Sequence, residues 1–288
     1  MKPHMSHMPS AIDSALEGSY NLRIRHPERT VIYHDFAERS EVTRQRPTAL
    51  LDMAYGPAPS SRVDVFLPHG TEPAPLLIFI HGGYWRALDK RDFSFVADAY
   101  LAAGIAVAMP NYALAPQVTV SEIVAEVCSG VAWLIGTEGA RIGYDANRVV
   151  VSGHSAGGHM AASAMRRDRV PSLEGKLRGC VCLSGLFDLE PLLHTSVNRD
   201  LHMSSAEARA LSVYDADLID APLLLAAGAL ETSGFQDQSL DFAQHCRTGG
   251  RAAEAMLVAG RNHFDLVDEF ADPHSILFDK TLALLRGR

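Results

Sequence analysis

Apolar residues along the chain fall into short runs closed by proline, glycine or polar residues, and longer stretches of helical spacing separate them. Val63, Val65 and Leu67 alternate with Asp64 and Phe66, which predicts a half-buried strand ended by Pro68. Leu76 to Ile80 is continuously apolar between Pro75 and His81-Gly82-Gly83, the pattern of a central strand covered on both faces. Further strands are predicted at 105–109, 148–154, 179–183, 222–228 and 255–259. Helices are predicted at 92–103, 120–135, 156–165, 236–247 and 273–286, from apolar positions recurring at three and four residues and from glycine stops.

Strands alternating with helices imply an α/β fold with one mostly parallel, doubly wound sheet and helices on both faces. Residues 1–60 read as an amino-terminal appendage rich in charge, with Tyr20, Tyr33 and Phe36 as docking points, and 61–288 as the main domain. Within that domain, 186–221 is longer than an ordinary connection and carries a short helical pattern at 205–211. It reads as a small cap over the strand ends.

Composition narrows the function classes. Hydrophobic residues at 47% supply a sizeable core, and a net charge of −8 without a basic cluster argues against nucleic-acid binding. Cys128, Cys180, Cys182 and Cys246 read as reduced and structural. Residues 1–10 lack the apolar core of a secretory signal, and no run approaches a membrane span, so a cytoplasmic protein off the membrane is expected.

The candidate chemistry begins at Gly153-His154-Ser155-Ala156-Gly157, a G-x-S-x-G motif between a β-branched run and a small-residue helix. That is the strand–elbow–helix context of an α/β-hydrolase nucleophile. A serine hydroxyl needs a base, an acid to orient the base, and donors for the oxyanion. In this context they follow in the order serine, acid, histidine. Ser155 is therefore the expected nucleophile and His263, after the last strand, the expected base. Glu231, three residues past strand 222–228, is the favoured acid; Asp188, after the preceding strand, is its rival. Gly82, Gly83 and the Ala156 amide are the candidate oxyanion hole, with His81 bracing the loop. Tyr84, Trp85, Phe187, Phe235 and Phe264 are candidate aromatic substrate contacts, of which two or three are expected to touch substrate. His154 is a candidate polar contact, and Arg86 and Asn111 are available polar groups. No H-E-x-x-H pattern occurs, and neither a metal nor a cofactor is expected.

The segments HGGYW at 81–85 and GHSAGGHM at 153–160, with NYALAP at 111–116, SGLFDL at 184–189 and NHFD at 262–265, resemble the arylformamidases, or kynurenine formamidases. These are α/β-hydrolases close to the hormone-sensitive-lipase-like esterases. The resemblance covers roughly 20–270. It implies hydrolysis of N-formyl-L-kynurenine to L-kynurenine and formate, with Ser155 and His263 in their family roles. Where that family often has an aspartate acid, this chain has Glu231. A carboxylesterase acting on small acyl or aryl esters would use the same triad, so the motifs leave both substrates open. A non-catalytic hydrolase-fold protein usually lacks a triad member, which this chain does not. The expected partner is a small-molecule formamide or ester, with a homodimer allowed.

Overall fold

A computed structural model describes residues 11–70 and 72–287; residues 1–10, read above as lacking a secretory signal, lie outside them. Eight strands form one sheet: β1 (Ala49–Ala54), β2 (Arg62–Phe66), β3 (Ala74–Ile80), β4 (Ala106–Pro110), β5 (Tyr144–His154), β6 (Leu177–Leu183), β7 (Leu223–Gly228) and β8 (Ala253–Val258). Their order across the sheet is β1-β2-β4-β3-β5-β6-β7-β8. β2 runs antiparallel to both its neighbours, and the strands from β4 to β8 are mutually parallel.

This order has a consequence for function. From β3 the chain steps to β4 on one side, then returns to lay β5 on the other. Connections leaving β3 and β5 therefore diverge, and a crevice opens outside their carboxyl ends. His81-Gly82-Gly83 follows β3 and Ser155 follows β5, so the topology itself brings the two glycine-bearing loops together.

Strand alternation builds the two core layers. Leu76, Ile78 and Ile80 of β3, Val149 and Val151 of β5, and Cys180 and Cys182 of β6 point into one layer, against helices Val120–Ile135 and Ala156–Ala164. Leu77, Phe79, Val150 and Val181 point into the other, where Tyr100, Phe270 and Phe278 pack. Helix Val120–Ile135 starts at a capping box in which Thr119 and Glu122 satisfy each other's amides, and it ends at Gly136.

Three elements depart from the sequence pattern. The segment expected to be helical from 92 is a 3-10 helix over Lys90–Val96, followed by α-helix only at Ala97–Ala102. Asp64 of β2 sits on the alternating polar side yet is fully buried, because Arg44 and Lys90 meet its carboxylate there, Lys90 Nζ at 2.8 Å. Finally, the sheet begins at β1, ahead of the division at residue 60.

The amino-terminal segment lies against the domain through helix Arg29–Arg44, which buries Phe36 against Phe93 and Phe95. Arg39 covers the Phe95 ring, with its guanidinium carbon 4.1 Å from the centroid. Helix Ser14–Tyr20 is tied to the 186–221 segment: Ser196 donates its amide and hydroxyl to the Glu17 carboxylate, at 2.7 and 2.6 Å. The 186–221 segment holds short helices at Asn198–Leu201 and Ser205–Leu211 and buries Leu186, Phe187 and Leu192 in the first core layer.

Candidate active site

β5 ends at His154, and Ser155 then takes φ 56° and ψ −120°, a left-handed strained conformation for a residue with a side chain. Helix Ala156–Ala164 leaves immediately from it. So sharp a turn requires that the helix pass the β3 end closely. A Cβ on Gly157 would collide with the Ile80 carbonyl oxygen, so only glycine serves there. The strain lifts the Ser155 hydroxyl clear of the sheet toward the loop after β8.

That loop carries His263. Gly260 ends the strand turn at φ 75°, and Asn262 accepts the amides of Phe264 and Asp265 on its side-chain oxygen, at 2.7 and 3.2 Å. Asp265 in return accepts the Asn262 amide at 2.6 Å, which locks the turn. The His263 ring is thereby aimed so that Nε2 lies 3.1 Å from Ser155 Oγ. Its other nitrogen, Nδ1, lies 2.8 Å from Glu231 Oε2.

Glu231 is held as firmly as the base. Its second oxygen, Oε1, accepts the Ser184 hydroxyl at 2.6 Å and the Gly228 amide at 2.5 Å. Gly228 closes β7 and Ser184 follows β6, so two strand ends fix one carboxylate and leave Oε2 free for the imidazole. Ser155, His263 and Glu231 are all buried, at 2%, 4% and 8% exposure. Burial strengthens each interaction by removing competing water. Phe235 lies against the imidazole, ring centroids 4.3 Å apart.

Asp188, the rival acid, is engaged elsewhere: Oδ1 caps the Glu190 amide at 3.0 Å and lies near Ser212. The loop after β3 lies beside Ser155. Gly82 is pressed against the nucleophile, such that a Cβ would lie 3.1 Å from the Ser155 Cβ. Among the described residues the Gly82, Gly83 and Ala156 amides have no hydrogen-bond acceptor. Amides left in this way are candidate donors to an oxyanion. His81 braces this loop, stacked on Tyr112 at 4.3 Å with Nε2 3.1 Å from Asn111 Oδ1.

A pocket of about 240 Å3 opens over Ser155. Gly83, His154, Ser155 and His263 form one part of its lining, and Tyr84, Ala87, Leu88 and Phe264 another. Leu22, Arg23, Arg29 and Tyr33 of the amino-terminal segment complete it. Of the expected substrate contacts, Tyr84, His154 and Phe264 line this pocket. Trp85, Phe187 and Phe235 do not, because each is fully buried: Trp85 edge-on to His159, Phe187 stacked on Phe242 at 4.4 Å, and Phe235 behind His263. Arg86 is turned to Asp200, and Asn111 is spent on His81, Asp89 and Lys90.

His154 has a second task. Its Nε2 lies 2.7 Å from the His263 carbonyl oxygen, which can only accept, so Nε2 carries the proton. Burial, reinforced by the neighbouring His263, pushes the His154 pKa down to about 3, which keeps the ring neutral. Nδ1 therefore holds a lone pair, and among the described residues it has no partner.

A protein from Silicibacter sp. that carries a provisional thioesterase designation superposes with a TM-score of 0.83 at 32% identity, over 92% of this chain and 97% of that one. The chain belongs to the α/β-hydrolase superfamily. The BD-FAE family model matches residues 63–185 of this hydrolase. A kynurenine formamidase of Danio rerio is 28% identical, over 85% of each chain. An isoprenylcysteine alpha-carbonyl methylesterase of Arabidopsis thaliana is also 28% identical, over 82% of this chain and 61% of that protein. Among the described residues of the hydrolase no helix is long and apolar enough to cross a membrane.

Some contributors to the site carry little sequence signal. Ser184 opens the SGLFDL segment but has no marked role there, and Arg23 and Arg29 are two charges in a charged segment. Only tertiary packing gives them a place.

Proposed function

We propose that this enzyme is a serine hydrolase of aryl formamides, acting on N-formyl-L-kynurenine to release L-kynurenine and formate through a formyl-enzyme intermediate. The observation that carries the reading is the Glu231–His263–Ser155 chain of hydrogen bonds, 2.8 and 3.1 Å long, opening on an aromatic-walled pocket. Kynurenine formamidases among its relatives support the same choice.

In this reading Ser155 Oγ attacks the formyl carbon while His263 Nε2 takes its proton. Glu231 orients the imidazole and stabilises the imidazolium that forms. The amides of Gly83 and Ala156, with Gly82 alongside, hold the oxyanion. His263 then protonates the departing aryl nitrogen, and water, deprotonated by the same imidazole, releases formate from Ser155. Tyr33, Tyr84 and Phe264 suit an aryl leaving group, with ring contacts contributing about 0.5–1.5 kcal/mol each beyond burial. Every group invoked belongs to one chain, so the reading needs no homodimer. Four buried, unpaired cysteines fit a reducing compartment, which supports a cytoplasmic location.

A carboxylesterase is the second reading, favoured by the methylesterases among the relatives. Specificity constants for N-formylkynurenine and 4-nitrophenyl acetate separate the two, with Ser155→Ala as control. Turnover of the formamide at least comparable to the ester is expected. A preference of about a hundredfold or more for the ester, equivalent to about 2.7 kcal/mol, would replace the formamidase reading with the esterase one.

A further inference from the structure

Arg23 and Arg29 both line the pocket that holds Ser155, and no carboxylate is among its lining residues. We propose that this arginine pair makes the enzyme selective for substrates whose leaving group carries a carboxylate, with Arg23 as the contacting residue. The inference rests on the hydrolase reading above and adds to it a recognition element, with the substrate feature that element selects.

The two arginines have different states. Arg29 is anchored: Nη1 donates to the carbonyl oxygens of Arg23 and His26, at 2.5 and 3.0 Å, and so fixes the turn between helices Leu22–Arg25 and Arg29–Arg44. Arg23 is exposed, and among the described residues its guanidinium has neither an ion-pair nor a hydrogen-bond partner. A third arginine, Arg86, lies close by but is already paired with Asp200. Partial desolvation by the surrounding protein and the like charges of Arg86 and Arg29 hold the Arg23 pKa below its usual value. Positive charge is thus concentrated without a full counterion beside the nucleophile, in a chain whose net charge is −8.

An incoming anion relieves that repulsion, and the planar guanidinium fork matches a carboxylate in two parallel hydrogen bonds. The acyl side of the proposed substrate cannot carry the anion, because a formyl carbon bears only hydrogen. The carboxylate must therefore lie on the arm that leaves with the aryl nitrogen. An aryl formamide with an amino-acid side arm has that composition; a neutral aryl ester does not.

The test compares kcat/KM for N-formylkynurenine with that for N-formylkynuramine, which lacks the carboxylate, in the wild type and in Arg23→Gln, Arg23→Lys and Arg23→Glu. The wild type is expected to favour the carboxylate by about tenfold to a hundredfold, the range of a charge-assisted contact. Arg23→Gln should remove most of that ratio, chiefly through KM; Arg23→Lys should restore part of it, and Arg23→Glu should invert it. Equal handling of the two formamides by the wild type, or an unchanged ratio in Arg23→Gln, overturns the proposal. If neither formamide is turned over while aryl acetates are, the formamidase reading fails separately. The arginine inference is then decided by 3-(4-acetoxyphenyl)propionate against its primary amide, with the same ratios expected. Arg23 lies on the surface, so thermal melts should coincide and a folding defect will not mask the result.

Discussion

His154 donates through Nε2 to the carbonyl oxygen of His263, at 2.7 Å, so the residue before the nucleophile holds the backbone of the base. The two ends of the relay are thereby spaced by one side chain as well as by the fold. His154→Phe keeps an aromatic ring of similar bulk but loses the donor. The freed carbonyl lets the His263 loop drift, and displacements of an ångström at a reacting group cost about a hundredfold. Steady-state kinetics should show kcat lower by about tenfold to a hundredfold with KM little changed. His154→Gln, which can still donate, should recover part of the loss. A KM effect with kcat intact would place His154 in substrate contact instead of positioning.

Glu231 has two oxygens with separate duties, one to Ser184 and Gly228 and one to His263. Glu231→Gln is expected to lower kcat by about 10³–10⁴, because the amide can present N–H to the imidazole and favour the wrong tautomer. Ser184→Ala removes one of two bonds to the structural oxygen and should cost far less, about tenfold. Asp188→Asn should leave kcat/KM within about twofold, since its carboxylate caps a local turn. Parallel losses for Asp188→Asn and Glu231→Gln would contradict this assignment of the acid.

How much of this was legible from residue order differs by layer. The central strands were, because continuous apolar runs such as 76–80 can only be covered on both faces, and because the elbow glycines stand where backbones must touch. The candidates Ser155, His263 and Glu231 follow from the same local signals plus chain order, and the fold brings their side chains together. The amino-terminal wall of the pocket was not legible. Val31 and Val42 of helix Arg29–Arg44 are 70% and 69% exposed while Phe36 is buried, so apolar spacing does not mark its inward face. Its placement depends on the ion pairs of Arg44 with Asp64 and of Arg39 with Asp268, and on rings contributed by distant segments. The aromatic candidates divide for a related reason: a sequence places a ring near a strand end but does not say whether another ring, as Phe242 does for Phe187, has already claimed it.

Gly82→Ala tests the close approach of the oxyanion loop. The new Cβ would sit 2.8 Å from the His154 carbonyl oxygen and 3.1 Å from the Ser155 Cβ, both on rigid backbone or its first side-chain atom. The loop must retreat, carrying its amides away from the oxyanion position. Loss of one such donor is worth about 10²–10³ in kcat. A fluorophosphonate probe should label Ser155 correspondingly slowly, and labelling at the wild-type rate would show that this loop does not serve the oxyanion.

Acid should destabilise the fold through its buried imidazoles, and His159 isolates the effect. Burial pushes its pKa down to about 4, from an ordinary value of 6.5, and that of His154 to about 3. Above pH 6.5 both rings are neutral whether the chain is folded or not, and their contribution to stability is complete. As pH falls below 6.5 the unfolded chain takes up protons that the native chain refuses, so stability drops. The drop ends only when the native pKa values are reached. Each ring adds up to about 1.4 kcal/mol per pH unit in that window. Carboxylates add their own acid sensitivity, so the variant comparison matters more than the slope itself. His159→Gln can keep the bond to the Leu211 carbonyl oxygen, now 2.9 Å from Nε2, without a titrating ring. Urea unfolding at pH 7.5, 6 and 5 should show the wild type losing stability faster than His159→Gln, by about 1 kcal/mol or more between pH 6 and 5. Parallel curves for the two proteins would mean that His159 is already free to protonate in the native state.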